Sequence, residues 1–123
     1  MGYESKIYIV EKGHKFEGET HCYCSVVAMF DLCKFYEVSD FMRHCPVTDC
    51  YFYADDGNTQ VFEDCYGEAL TETTIDKMVE VLEKAKTTKD KDYRRISPLL
   101  FTLYALQKER DKWRELAVLH YGY

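Results

Sequence analysis

A single α+β domain over residues 1–123 is predicted by three observations. Strand-like runs fill the first half of the chain and amphipathic helical patterns the second, an order that argues against the alternation of an α/β fold. The third is aromatic content: eleven tyrosines and seven phenylalanines suit a pleated surface. The expected architecture is a mostly antiparallel sheet of about four or five strands, with two main amphipathic helices and one short helix packed on one face.

The first strand is "KIYIV", residues 6–10, rich in Ile, Val and Tyr. "EKGHKFEGETH", 11–21, carries two glycines and many polar residues and reads as a loop. "CSVVAMFDLCKF", 24–35, is ambiguous. Val26, Val27, Phe30 and Cys33 fit a helix face, whereas the β-branched pair and the aromatics fit a strand, which is the reading adopted. "VSDFMRHCP", 38–46, is the short helix, with Ser39 as its cap and Pro46 marking its end.

"DCYFYADDGNTQVFED", 49–64, is a hairpin, with Asp56-Gly57 as a two-residue turn. "TTIDKMVEVLEKAKT", 73–87, is the first main helix, capped by Thr73 or Thr74 and buried along Ile75, Met78, Val79, Leu82 and Ala85. "TTKDKD", 87–92, is a polar connector. "SPLLFTLYALQKERDKW", 97–113, is the second main helix. Ser97 caps it and Pro98 takes its first position, where a missing N–H costs nothing. "ELAVLHYGY", 115–123, reads as a last strand.

No apolar run approaches the roughly 20 residues of a membrane helix. The N-terminus lacks a basic stretch followed by a long apolar core, so a cytoplasmic location is expected. Six cysteines (22, 24, 33, 45, 50 and 65) then read as thiols rather than disulfides. Charge is asymmetric: residues 1–70 hold 13 acidic and 5 basic side chains, a net −8, and residues 71–123 hold 9 acidic and 11 basic, a net +2. From Asp49 to Glu68 there are six acids and no Lys or Arg. Such a surface disfavours phosphate contacts, and hence direct nucleic-acid binding, and favours a basic protein partner.

Two candidate sites emerge. "HCYC" supplies His21, Cys22 and Cys24, three potential zinc ligands in four residues, and His14 in the same loop is a fourth. His44, Cys45 and Cys65 are alternative ligands. The paired C-x-x-C of zinc ribbons is absent, and C-x-C alone is weakly specific. Cys33 and Cys50 lie inside predicted strands and read as core. The second candidate is acidic: Asp55, Asp56, Glu63, Asp64 and Glu68, a binding surface for a basic partner or else a solvated turn. Arg94 and Arg95 in "DKDYRRI" read as an ordinary solvated or intramolecular charge pair, with anion binding or pairing with the acidic hairpin as the alternatives. None of the common nucleophile, metalloprotease, phosphate-loop or dinucleotide motifs occurs.

"MGYESKIYIV", "YADDGNT", "DYRR" and the final "HYGY" together resemble small uncharacterised bacteriophage and prophage proteins of Gram-positive bacteria. That class includes anti-CRISPR inhibitors that act on Cas9. The resemblance implies a non-enzymatic inhibitor that occupies a basic surface of a Cas9-type nuclease; the cysteine and histidine pattern adds a structural zinc as its cofactor. The alternatives are a small metal- or thiol-dependent enzyme and a structural or assembly protein.

Overall fold

Burial alternates along β1 (Ser5–Lys12), so this strand has an apolar side on each face of the sheet. Ile7 and Ile9 face the helices, while Tyr8 and Val10 belong to a second cluster. A computed structural model describes residues 4–15, 17–88 and 93–123. In it β1 pairs antiparallel with both β2 (Cys22–Cys33) and β6 (Leu116–Gly122).

The ambiguous segment is therefore a strand. Its register against β1 shifts twice, leaving Val27 and Leu32 as extra residues on the β2 side. Each bulge reverses the alternation and bends the strand. Leu32 enters the helix-side core in this way, while Cys24 enters the other one. At the end of β2, Cys33 adopts a positive φ of 53° and its N–H donates to Asp31 Oδ1 at 2.9 Å.

Helix α1 (Tyr36–Arg43) begins earlier than predicted. Its N-cap position is Phe35, without a side-chain cap, and Ser39 is buried in the second turn with its hydroxyl donating to the Tyr36 carbonyl at 3.2 Å. Burial of Val38 and Met42, rather than capping, holds this helix. The hairpin follows as β3 (Cys50–Tyr53) and β4 (Gln60–Val61), paired antiparallel. Its connection is longer than the expected turn. Ala54 N–H reaches the Thr59 carbonyl at 2.8 Å, and Gly57 alone has positive φ (75°). A two-residue mirror-image turn would need Asp56 in that region too.

Strand β5 (Thr71–Thr73) pairs with β6, and the order is β4-β3-β2-β1-β6-β5. The sheet has six strands and is mixed, because β3 runs parallel to β2 with Cys22 opposite Cys50 and Tyr23 opposite Tyr51. Residues 46–48 pair antiparallel with 70–72: Glu72 N–H donates to the Pro46 carbonyl and Thr48 N–H to the Leu70 carbonyl, both at 2.9 Å. That segment lies beside one edge strand and leads directly into β3 at the other side. The sheet thus curls round the second core, formed by residues such as Val10, Cys24, Cys50, Phe52, Leu70 and Leu119.

The helices cover the opposite face. In α2 (Ile75–Thr88) Ile75, Met78, Leu82 and Ala85 of the predicted stripe are buried and Val79 is half-buried beside them, and Thr74 Oγ1 accepts from Lys77 N–H at 3.2 Å. Helix α3 (Tyr93–Lys108) starts before Ser97, so Pro98 lies inside it and removes one backbone bond near its N-terminal end. Buried Ile96, Leu99, Leu100, Leu103 and Leu106 offset that loss. Trp113 lies beyond the helix, after a 3-10 turn at Arg110–Lys112, and packs against the same core. Most of the predicted connector, 87–92, falls outside the described residues.

Candidate functional site

Period-two alternation gives the β2–β3 pair two chemically different sides. Cys22, Cys24 and Cys50 point inward and are buried. Tyr23, Tyr51 and Tyr53 point outward. The parallel register sets tyrosine beside tyrosine. Ring centroids are 5.8 Å apart for Tyr23–Tyr51, 5.6 Å for Tyr23–Tyr53 and 6.0 Å for Tyr51–Tyr53. Phe62 stacks on Tyr51 at 5.0 Å and His21 meets Phe62 edge-on at 4.7 Å. Tyr23 and Tyr53 remain 43% and 40% exposed, so this aromatic group covers surface rather than core.

The inner side ends in a thiol–carboxylate cluster. One ligand atom each from Asp49, Cys50 and Glu72 lies within 4.8 Å of the others. Cys50 Sγ is 3.8 Å from Asp49 Oδ1 and 4.0 Å from Glu72 Oε1. Thr48 Oγ1 donates to Glu72 Oε1 at 2.6 Å and accepts from the Cys50 N–H at 3.0 Å. Two lysines flank the cluster: Lys12 Nζ is 2.8 Å from Glu72 Oε2 and Lys15 Nζ is 3.3 Å from Asp49 Oδ2.

Cys24 donates to the Tyr51 carbonyl at 3.1 Å and its thiol also meets that of Cys50. The Cys24 side chain pulls the Cys50 thiol below its ordinary pKa, against burial and with help from Thr48 and Lys12. The same contact, followed by burial, pushes Cys24 upward. Burial alone would lower Lys12, but its hydrogen bond and charge interaction with Glu72 prevail and raise it. Asp49, Cys50 and Glu72 are the group among the described residues that could hold a metal ion.

The residues singled out from sequence are dispersed. The ring of His14 takes a 2.7 Å contact from Arg114 Nη2, and His21 Nδ1 lies 3.0 Å from Thr20 Oγ1 on the outer face. Cys22 donates to the Gly13 carbonyl at 3.1 Å. The structure does not bring His14, His21, Cys22 and Cys24 together, because strand alternation sends His21 and the two thiols to opposite sides. His44 is the C-cap of α1, the Cys45 thiol donates to the Phe41 carbonyl at 3.4 Å, and Cys65 sits in an exposed turn. These three do not converge either. Cys50 is core, as expected, whereas Cys33 is half-buried.

The acids divide into two turns. Asp55 and Asp56 occupy the β3–β4 loop, where Asp56 Oδ1 accepts from the N–H groups of Asn58 and Thr59, both at 2.8 Å. Glu63, Asp64 and Glu68 form a second turn, where Asp64 Oδ1 accepts from Tyr66 and Glu68 N–H at 2.9 and 3.0 Å. Each turn uses one carboxylate to fold itself, so Asp56 and Asp64 lose freedom to reach a partner. The outward tyrosines and Glu72 were missed from sequence. The tyrosines had a signal, the alternation in "HCYC" and "CYFY"; Glu72 had none.

Among the described residues no helix is long and apolar enough to cross a membrane. Comparison with models of known families, with curated proteins and with solved structures finds no match.

Proposed function

We propose that the chain is a non-enzymatic binding protein that docks its outer β2–β3–β4 face on a basic protein surface. The observation that carries this reading is the outward group of exposed Tyr23 and Tyr53 around half-buried Tyr51, with Asp55 and Asp56 on the adjoining loop. Tyrosines supply large contact area at low entropy cost and stack on guanidinium groups. The net −8 of residues 1–70 raises the rate of encounter with a cationic surface and repels nucleic acid. The resemblance to phage proteins narrows the partner to a basic nucleic-acid groove of a host defence nuclease of the Cas9 type, blocked by occupation. A structural zinc belongs to this reading as the element that pins β3 to β2.

The test is inhibition and binding of a purified Cas9-type nuclease. Binding is expected to weaken as salt rises from about 50 to about 200 mM. Tyr51→Ala and Tyr53→Ala are each expected to weaken it about 30-fold or more, the scale of an interface hot spot. Asp55→Asn should slow association with a smaller effect on dissociation. Full nuclease activity at saturating protein, or unchanged affinity on removal of all three tyrosines, overturns the proposal.

A further inference from the structure

The geometry points to a zinc site inside the β2–β3 edge, formed by Cys24, Cys50, Asp49 and Glu72. This deepens the zinc component of the proposed function and places it away from His14 and His21. Tetrahedral zinc with sulfur at about 2.3 Å and oxygen at about 2.1 Å separates those ligands by about 3.6 Å. The Cys50 sulfur lies 3.8 Å from Asp49 Oδ1 and 4.0 Å from Glu72 Oε1, so small side-chain shifts suffice. Asp49, Cys50 and Glu72 are the three whose ligand atoms already lie within 4.8 Å of one another; Cys24, whose thiol donates to the Tyr51 carbonyl at 3.1 Å, supplies the fourth ligand by turning from that carbonyl.

The two carboxylates are divided in the same way. Each gives its outer oxygen to a lysine, Asp49 Oδ2 to Lys15 and Glu72 Oε2 to Lys12, and keeps its inner oxygen toward Cys50. Thr48 fixes the inner oxygen of Glu72 and the backbone of Cys50 at once. Such outer partners orient ligands in metal sites. Charge also balances. A dication on two thiolates and two carboxylates carries a net double negative charge, which Lys12 and Lys15 cancel. On binding, Cys24 and Cys50 each release a proton to solvent as the metal–sulfur bond forms.

The experiment is titration of the reduced, metal-free protein with Co²⁺, followed by displacement with Zn²⁺. One Co²⁺ per chain is expected, with thiolate-to-cobalt charge-transfer absorption and the intense d–d bands of a tetrahedral site. Cys24→Ser and Cys50→Ser should each weaken binding by more than about 100-fold, beyond the effect of an outer-shell change. Glu72→Gln and Asp49→Asn should weaken it by at least about tenfold and, on half-buried positions, keep the fold by circular dichroism if the thiol variants do not. Cys22→Ser, His14→Ala and His21→Ala should leave it unchanged. No stoichiometric cobalt, spectra without thiolate character, indifference to both carboxylate variants, or dependence on the histidines overturns the assignment. Zinc binding without nuclease binding removes only the proposed function. Nuclease binding by a chain that takes no metal removes only this site.

Discussion

Lowering the pH from about 7 to about 4 is expected to remove about 3 kcal/mol of stability through one side chain, His120. His120 is 6% exposed, and its Nε2 lies 2.8 Å from the hydroxyl of fully buried Ser5. Burial pushes its pKa down from 6.5 to about 4, and the Asp64 charge pulls only weakly the other way. The folded chain therefore keeps the ring neutral while the unfolded chain takes up a proton near pH 6.5. The contribution is complete above about pH 6.5, falls as the pH drops toward 4 and declines no further below it. Arg43, Asp64 and Glu68 face the ring across a cavity of about 300 Å³, and β1 and β5 present Ile7 and Thr71 to it. Asp31 acts in a separate, lower window. Burial would raise it, but the Tyr123 hydroxyl and Cys33 N–H outweigh burial and hold it low, so its contribution is lost only as the pH falls below the ordinary carboxylate range. Urea midpoints across this range measure the loss, and His120→Gln should flatten the curve between about pH 6.5 and 4. Parallel curves for the two proteins would assign the acid sensitivity elsewhere.

The helical stripe of α2, the strand character of β6 and the existence of the hairpin were legible because each depends on local pattern alone. Residues 24–35 were ambiguous for a physical reason. Two bulges insert Val27 and Leu32, and an extra residue in a period-two pattern mimics helical spacing. Ser39 and Ser97 were misread as caps because tertiary burial, of Val38 and Met42 in one helix and of Ile96 in the other, carried each helix past them. The parallel pairing of Cys22 with Cys50 joins residues far apart in sequence, and no local signal fixes such a register. The same pairing decides the site. It turns Tyr51 to the tyrosine surface and Cys50 to the thiols, and the return of the chain at 46–48 and 70–72 brings in Glu72. What composition did carry was the acidity of the first seventy residues, not which carboxylates remain free.

Phe52→Ala is expected to cost about 3–5 kcal/mol, a large share of the roughly 5–15 kcal/mol typical of a domain. Phe52 is 4% exposed and its ring lies 4.5 Å from that of Tyr8 across the second core. Strand β3 needs this anchor more than most strands do. It pairs with β2 through two residues and with β4 through two, so side-chain burial rather than a long ladder holds it. Tyr51 and Tyr53 flank Phe52 and point the other way; removing the anchor should therefore loosen the outer face before the rest of the fold. Amide exchange at Tyr51 and Tyr53 should accelerate by at least about 100-fold more than at Ile7 and Ile9. Phe35→Ala is the comparison, since Phe35 is 1% exposed in the helix-side core and should cost a similar amount. In that variant β3 should exchange in step with β1. If the two variants share one exchange profile, the two cores unfold as a unit, and the tyrosine face has no mobility of its own to be restrained by metal or by a partner.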